Sequence, residues 1–303
     1  MRHVLSLLIA ALALVLNFSS LVAQRVKAPR VPKQSARHML WRVQSDSTVV
    51  YVMGSVHMLP KKFYPLDTIL ERALDSSDVL VLEVKLDEAT QMNVMQKMLT
   101  DAMLPPGQTL RELIAPKTYA LAQTRLKKNG LDISLFDGMQ PWVLALMLSG
   151  VELRNSGFTG DLGVDMHLSA RAEEQSKPLV GLETVDDQLS VFKSMSHKAQ
   201  EELLRQAVTD GGSASAALVK LATAWRNGDV KQLEKLALNE LKKDSSFYQA
   251  MQVDRNRAWL PKIEGYLNDS GKRYLVIVGA AHLLGDDGVI AMLRAKGYSP
   301  VQM

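Results

Sequence analysis

Two distant segments of this chain share one pattern, an apolar run that stops at G-x-x-H. The first reads Thr48-Val-Val-Tyr-Val-Met-Gly54-Ser-Val-His57, and the second reads Arg273-Tyr-Leu-Val-Ile-Val-Gly279-Ala-Ala-His282. Apolar runs of this length bounded by glycine read as buried strands. Glycine lets the chain turn sharply as it leaves the strand. Each histidine therefore falls at a strand's carboxyl end, where open α/β sheets place ligands. The chain has six histidines, so two in one matched setting imply a shared purpose. Two imidazoles can converge on one metal ion.

Composition limits what else such a site could contain. The chain has no cysteine, which excludes disulfides, thiol catalysis and cysteinyl metal sites. Any metal must be held by His, Asp, Glu and oxygen ligands. At the amino terminus Arg2 and His3 precede an apolar stretch from Val4 to Leu16. Polar Asn17, Ser19 and Ser20 follow, then Leu21-Val-Ala23. That order is a secretory signal over residues 1–23, so the protein is expected to be exported, periplasmic or secreted. The stretch is shorter than the roughly 20 residues of a membrane span; left uncleaved, it would anchor the protein at a membrane. Residues 24–37 are basic with two prolines and read as a flexible tether. Residues 38–303 form the folded α/β domain, long enough to bury a substantial core. The net charge is +4, with no dense basic run interleaved with aromatics, so no nucleic-acid partner is expected.

The element order is β-β-α-β, a helical middle, β, helices, then β-α-β. It predicts a mixed α/β fold whose central sheet comes from two pseudo-repeat halves, with a large helical insert. Met39 to Val43 and Thr48 to Met53 pair through a turn at Asp46-Ser47. Asp67 caps a helix to about Leu74, and Val79-Leu-Val-Leu-Glu83 is the next strand. Pro141 to Leu153 is almost wholly apolar and reads as a buried core helix rather than a membrane span. Gly163 opens a helix, and Lys177 to Glu183 is a short strand. Phe247 to Leu267 reads as one helix, and Pro300-Val-Gln as a last edge strand. Glu83 and Glu183 each end an apolar run with a carboxylate, which is costly to bury unless paired or coordinated. For Glu83 the bland reading is an edge residue facing water. For Glu183 it is a cap for the next helix. Asp165 is read as a helix cap or as a partner that orients a histidine, and His167 as a plain helix histidine.

Taken together these residues resemble the TraB/GumN family. The resemblance rests on Leu40-Trp41-Arg-Val, Gly54-Ser-Val-His57, Leu104-Pro-Pro-Gly-Gln-Thr-Leu, Pro141-Trp and Gly181-Leu-Glu-Thr184 with Gln188. Arg255-Asn256 and Gly279-Ala-Ala-His-Leu283, with Gly285 and Gly288-Val, complete it. It covers about Leu40 to Val301. The family is similar to the Tiki proteins, membrane-associated metal-dependent proteases, and more distantly to erythromycin-esterase-like and haem-associated ChaN-like proteins. The resemblance implies an active site of His57 and His282 with Glu83 and Glu183 as the acidic members. For Arg255 and Asn256, whose usual reading is a solvated charged face, it adds a second option, a guanidinium or amide that stabilises an oxyanion.

The expected protein is a metal-dependent hydrolase of a peptide or protein substrate. Its divalent ion (Mn, Co, Zn or Fe) would be held by His57, His282, Glu83 and Glu183, with catalytic help from Glu83, Glu183, Arg255 and Asn256. The pattern is not H-E-x-x-H, so that geometry does not transfer. Two alternatives stand: a haem- or metal-binding envelope protein without turnover, and a structural or interaction protein of the envelope.

Overall fold

The computed structural model describes residues 37–85, 88–209 and 213–303. The expected signal, and the tether up to residue 36, lie outside the described residues.

Six strands make one sheet: β1 (Leu40–Gln44), β2 (Val49–Ser55), β3 (Val79–Leu82), β4 (Leu179–Gly181), β5 (Tyr274–Gly279) and β6 (Val301–Gln302). Their order across the sheet is β4-β3-β5-β2-β1-β6. The first four in that order run parallel to one another. β1 runs antiparallel to both β2 and β6. The β1–β2 hairpin turns where Ser45 Oγ accepts from the Ser47 and Thr48 amides at 3.1 and 3.0 Å. That local bond makes the turn expected at Asp46-Ser47. Every residue of β3 and β5 is buried, as continuous apolar runs in a parallel sheet require.

The two G-x-x-H strands are neighbours. β2 and β5 pair in parallel, with Gly54 opposite Val278 and Ser55 opposite Gly279. The repeat is thus brought side by side with an offset of one residue.

Helices that bear on the site are α1 (Thr68–Asp75), α2 (Pro141–Asn155), α3 (Val164–Glu174), α4 (Val185–Lys193), α5 (His197–Thr209), α6 (Ser213–Arg226), α7 (Arg255–Leu267) and α8 (Val289–Ala295). Apolar burial divides into two cores. The first surrounds the sheet and takes Leu74, Leu168, Trp225, Trp259 and Ile263 from the helices. The second belongs to the helical insert. There Trp142 stacks on Phe192 with ring centroids 5.4 Å apart, and Phe192 meets Phe247 at 6.3 Å. The apolar Pro141 segment is α2, buried in this second core. No helix among the described residues is long and apolar enough to cross a membrane.

Helices also pin the first G-x-x-H loop. The Trp225 indole N–H of α6 donates to the Gly54 carbonyl at 2.6 Å. The Val164 amide at the start of α3 donates to the Val56 carbonyl at 3.1 Å. The approach is so close that a Cβ added at Gly163 would lie 2.3 Å from the His57 carbonyl oxygen.

One element departs from expectation. The Phe247 to Leu267 stretch is not a uniform α-helix, because a π turn over Gln249–Asp254 leads into α7. Arg255 follows that turn directly. Its guanidinium takes the Met251 carbonyl at 3.2 Å, the acceptor that its own amide would use in an α-helix. The Arg255 amide bonds the Gln252 carbonyl instead. A side chain inserted into the ladder is a recognised source of such a distortion.

Gly163→Ala tests this packing. Overpacking against fixed backbone is expected to cost about 1–3 kcal/mol, read from urea denaturation. An unchanged midpoint would mean that the α3 terminus is not held against His57.

A candidate active site at the carboxyl ends of four parallel strands

Adjacent strands deliver the site in the order β4, β3, β5, β2. Glu183 follows β4, Glu83 follows β3, His282 follows β5 and His57 follows β2. All four emerge from carboxyl ends, where a parallel sheet leaves a crevice for ligands. They gather around Gly279. A Cβ placed there would lie 3.1 Å from His57 Nε2, 3.3 Å from Glu83 Oε1 and 3.6 Å from His282 Cδ2. Glycine at this position keeps the space open.

Arg255 is the cation of the cluster. It enters from α7 and is buried. Its Nε and Nη2 fork onto Glu183 at 3.0 and 2.6 Å. Nη2 also donates to Glu83 Oε2 at 2.7 Å. Nη1 reaches His282 Nε2 at 3.1 Å and the Met251 carbonyl. Every N–H of the guanidinium therefore has an acceptor. Trp259, one turn further along α7, lies beneath it at 4.7 Å and donates its indole N–H to Glu183 at 3.1 Å.

The two carboxylates differ. Glu83 accepts from the Gly279 amide at 2.6 Å and from Gln188 Nε2 at 3.3 Å, besides Arg255. Burial alone would raise its pKa. Arg255 foremost, with both imidazoles and the Gly279 amide, outweighs that and brings it down to about 2. Glu183 is pushed up, first by burial and then by repulsion from Glu83, against the pull of Arg255 and Trp259.

The histidines differ as well. His282 Nδ1–H donates to Asn256 Oδ1 at 2.7 Å. Asn256 uses its amide hydrogens on the carbonyls of His282 and Asp287, at 3.2 and 2.7 Å, which fixes its orientation. The His282 lone pair is then on Nε2, facing Arg255. Burial and the guanidinium bring its pKa down to about 3, so this ring is neutral. His57 Nδ1 lies 2.9 Å from Asp165 Oδ1, both groups buried. The contact is close but not along the ring N–H, and neither His57 nitrogen nor either Asp165 oxygen has an aligned partner. Burial, the largest influence, lowers the His57 pKa. Asp165 overcomes it, Glu83 adds and Arg255 opposes, and the balance lies above the ordinary histidine value.

The structure thus brings together His57, Glu83, Glu183, Arg255, Asn256 and His282. It assigns two of them work that differs from the expectation. Asn256 has no N–H left for an oxyanion, and its bonds make it the holder of His282. Arg255 likewise has no spare donor and acts through its charge. Asp165, Gln188 and Trp259 join the site. The spacing Gln252, Arg255, Asn256, Trp259 on one helix face is the sequence signal for Trp259. His167 turns elsewhere, to Glu71 at 3.3 Å.

The expected divalent ion would need free lone pairs on these side chains. Lone pairs at His57 Nε2, His282 Nε2 and Glu83 Oε1 have suitable chemistry. The guanidinium, however, occupies both carboxylates and faces His282 Nε2. Among the described residues no group of three or more His, Asp or Glu is arranged to hold a metal. As arranged, the set does not fit a resident ion, because Arg255 already supplies the positive charge.

Glu83→Gln removes half of a buried ion pair and is expected to cost about 3–5 kcal/mol at pH 7. The folded pKa of Glu83 lies below its unfolded value of about 4.3. Its stabilisation is therefore present above that value and lost as pH falls through about 2. Urea denaturation should show the gap between wild type and variant narrowing over that window. A gap independent of pH would contradict an ionised Glu83.

Relatives agree with the extent of this fold. The chain is 27% identical to the uncharacterized protein YbaP of Escherichia coli (strain K12), covering 80% of this chain and 87% of YbaP. It is 21% identical to metalloprotease TIKI1 of Danio rerio, covering 88% of this chain and 63% of that protein. It is 24% identical to a metalloprotease TIKI homolog of Amphimedon queenslandica, covering 86% of this chain and 60% of that one. The chain thus spans less than two thirds of either TIKI protein. No solved structure matches it. The match to the TraB/PrgY/gumN family runs over residues 39–302, nearly the whole of the described structure, and the chain belongs to that family.

Proposed function

We propose that this protein is an exported hydrolase, acting on peptide bonds at the strand-end side chains gathered around Gly279. One observation carries the reading. His57 Nε2 is buried and partnerless, its ring is backed by Asp165, and it opens on the space shared with Glu83 and His282. A buried polar atom without a partner is costly unless function retains it.

In this reading His57 takes the proton of an attacking water and returns it to the leaving amine. Asp165 stabilises the imidazolium that forms between those steps, as a carboxylate behind a catalytic histidine does. Arg255 places positive charge beside the developing oxyanion. Glu83, ionised, holds Arg255 and the Gly279 amide in position. The peptide as substrate class comes from the two relatives named metalloproteases. Those names imply a metal in those proteins; the residues here do not offer one a place, so no step passes through a metal. Export, to the periplasm or the medium, rests on the order of charged, apolar and polar residues over 1–23. The same segment left uncleaved would hold the protein at a membrane.

A peptide-library digest tests the chemistry, run in chelator and with added Mn²⁺ or Co²⁺. His57→Asn keeps an N–H toward Asp165 and loses Nε2, and cleavage should fall at least about 100-fold. Because the His57 pKa is raised, its base form declines as pH falls through a value above the usual 6.5 or so. The acid limb of kcat/KM should therefore be centred above that value. Undiminished cleavage by His57→Asn, or no cleavage under any condition, would overturn the reading; strong Soret absorbance in the second case would favour a haem-binding protein.

Mass spectrometry of the mature protein tests export and should find a new amino terminus near Gln24. An intact Met1 in the cytosol would refute it.

A further inference from the structure

Among the described residues, nine buried side-chain nitrogens and oxygens have no hydrogen-bond partner, and six of them belong to Ser55, His57, Asp165 and Gln188. Unmet polar atoms are costly to bury, so their concentration in the site marks where a polar guest is received. Ser55 is the only hydroxyl in that group. It is neutral and carries a hydrogen to donate at every pH at which the protein is folded.

The register of the sheet aims this hydroxyl. Ser55 is the last residue of β2 and lies opposite Gly279 on β5. Residues opposite one another on neighbouring parallel strands face the same side of the sheet, about 4.8 Å apart. The side on which a Cβ at Gly279 would meet His57 Nε2 and Glu83 Oε1 is therefore the side of Ser55. Gly54, one residue earlier, faces the other way, toward Ala280 and Leu283.

A buried serine ordinarily spends its hydroxyl on a nearby carbonyl. Ser77 and Ser149 do so, donating to the carbonyls of Ala73 and Ala145, four residues back, at 2.7 and 2.8 Å. A strand brings no carbonyl back to Ser55 in this way. The carbonyls on either side of it are already engaged, that of Gly54 by the Trp225 indole and that of Val56 by the Val164 amide. Those two bonds also hold the backbone around Ser55 in place. The hydroxyl is thus fixed on the site face and bonded to no group among the described residues.

We propose that Ser55 is a catalytic residue, its O–H donating to the carbonyl oxygen of the bond that is cut. The proposal rests on the hydrolase reading and supplies a donor which that reading lacks. The hydrogens of Arg255 and Asn256 are spent inside the protein. So are the Trp259 indole N–H, on Glu183, and the Gly279 amide, on Glu83. When water adds to the carbonyl carbon, the π electrons of the C=O bond move onto the oxygen. That oxygen becomes a far stronger acceptor, and a donor already in place stabilises it without reorganising. Ser55 keeps its proton throughout. Its hydrogen bond strengthens as the negative charge forms. It relaxes when the carbonyl re-forms, the C–N bond breaks and one proton of the water leaves with the amine. No bond to Oγ is made.

The test compares full-length wild type with Ser55→Ala on a peptide that the library digest shows to be cleaved. The variant should lower kcat at least about 100-fold with KM within about threefold, the mark of a contact made in the transition state. Urea denaturation adds a readout that needs no substrate. A hydroxyl buried without a partner costs stability, so Ser55→Ala should leave the midpoint unchanged or raise it.

A lowered midpoint, or a variant that does not fold, would show that the hydroxyl serves the fold and would overturn the proposal. So would wild-type kcat in the folded variant, or a loss confined to KM. An acyl adduct on Ser55 in quenched wild-type enzyme, read by mass spectrometry, would overturn it too, because Oγ would then be the nucleophile. Each of these results leaves the hydrolase reading standing. Wild-type protein that cleaves nothing would sink that reading, and this role with it.

Discussion

The Arg255 guanidinium, laid across Glu83 and Glu183, is the contact on which the rest of the site depends. Two buried carboxylates on neighbouring strands could not both ionise without a cation between them. A buried ion pair of this kind adds little net stability over an apolar core, but removing one partner is severe. Its value is therefore geometric. By occupying both acids and the lone pair of His282, Arg255 fixes three strand ends at once and leaves His57 as the site's uncommitted group. The same side chain also takes the Met251 carbonyl, within the π turn before α7.

Around that contact the fold is a means of delivery. Four parallel strands end at one level, and each contributes one residue within three of its last position. The sheet core and the insert core meet near these ends. α3, α6 and the π turn before α7 each bond to a strand-end loop, through Val164, Trp225 and Gln252, the last donating to the Ala281 carbonyl at 2.6 Å. The His57 loop is thereby tied to α3 and α6, and the His282 loop to the π turn before α7. Small changes at their packing surfaces, such as at Gly163, reach the pocket through the loop backbone.

Much of this was legible in the sequence, for local reasons. An apolar run ended by glycine gives a strand, and the next three residues must lie at its carboxyl end. His57, His282, Glu83 and Glu183 were all visible from their places at the ends of such runs, as was the cap at Asp67, which accepts from the Ile69 amide. What stayed hidden was long-range. Nothing local states that β2 and β5 are neighbours or that β4 flanks β3. Arg255 lies 172 residues from Glu83 in a stretch that reads as a charged helix face. Without it the two acids and two histidines look like a set waiting for a metal ion. With it, their charge is already met. Asn256 likewise offers donors in the sequence, and the fold spends them on main-chain carbonyls. The π turn has no signal in the apolar periodicity of that stretch.

The central claim is that Arg255 is the resident cation of this site and His57 its uncommitted base. A crystal structure of the protein grown with excess Mn²⁺, with anomalous difference maps, tests it directly. The account predicts the guanidinium across Glu83 and Glu183, His57 beside Asp165, and no anomalous peak in the pocket. Arg255 turned away from both carboxylates, with an ion bound among His57, Glu83 and His282, would contradict it.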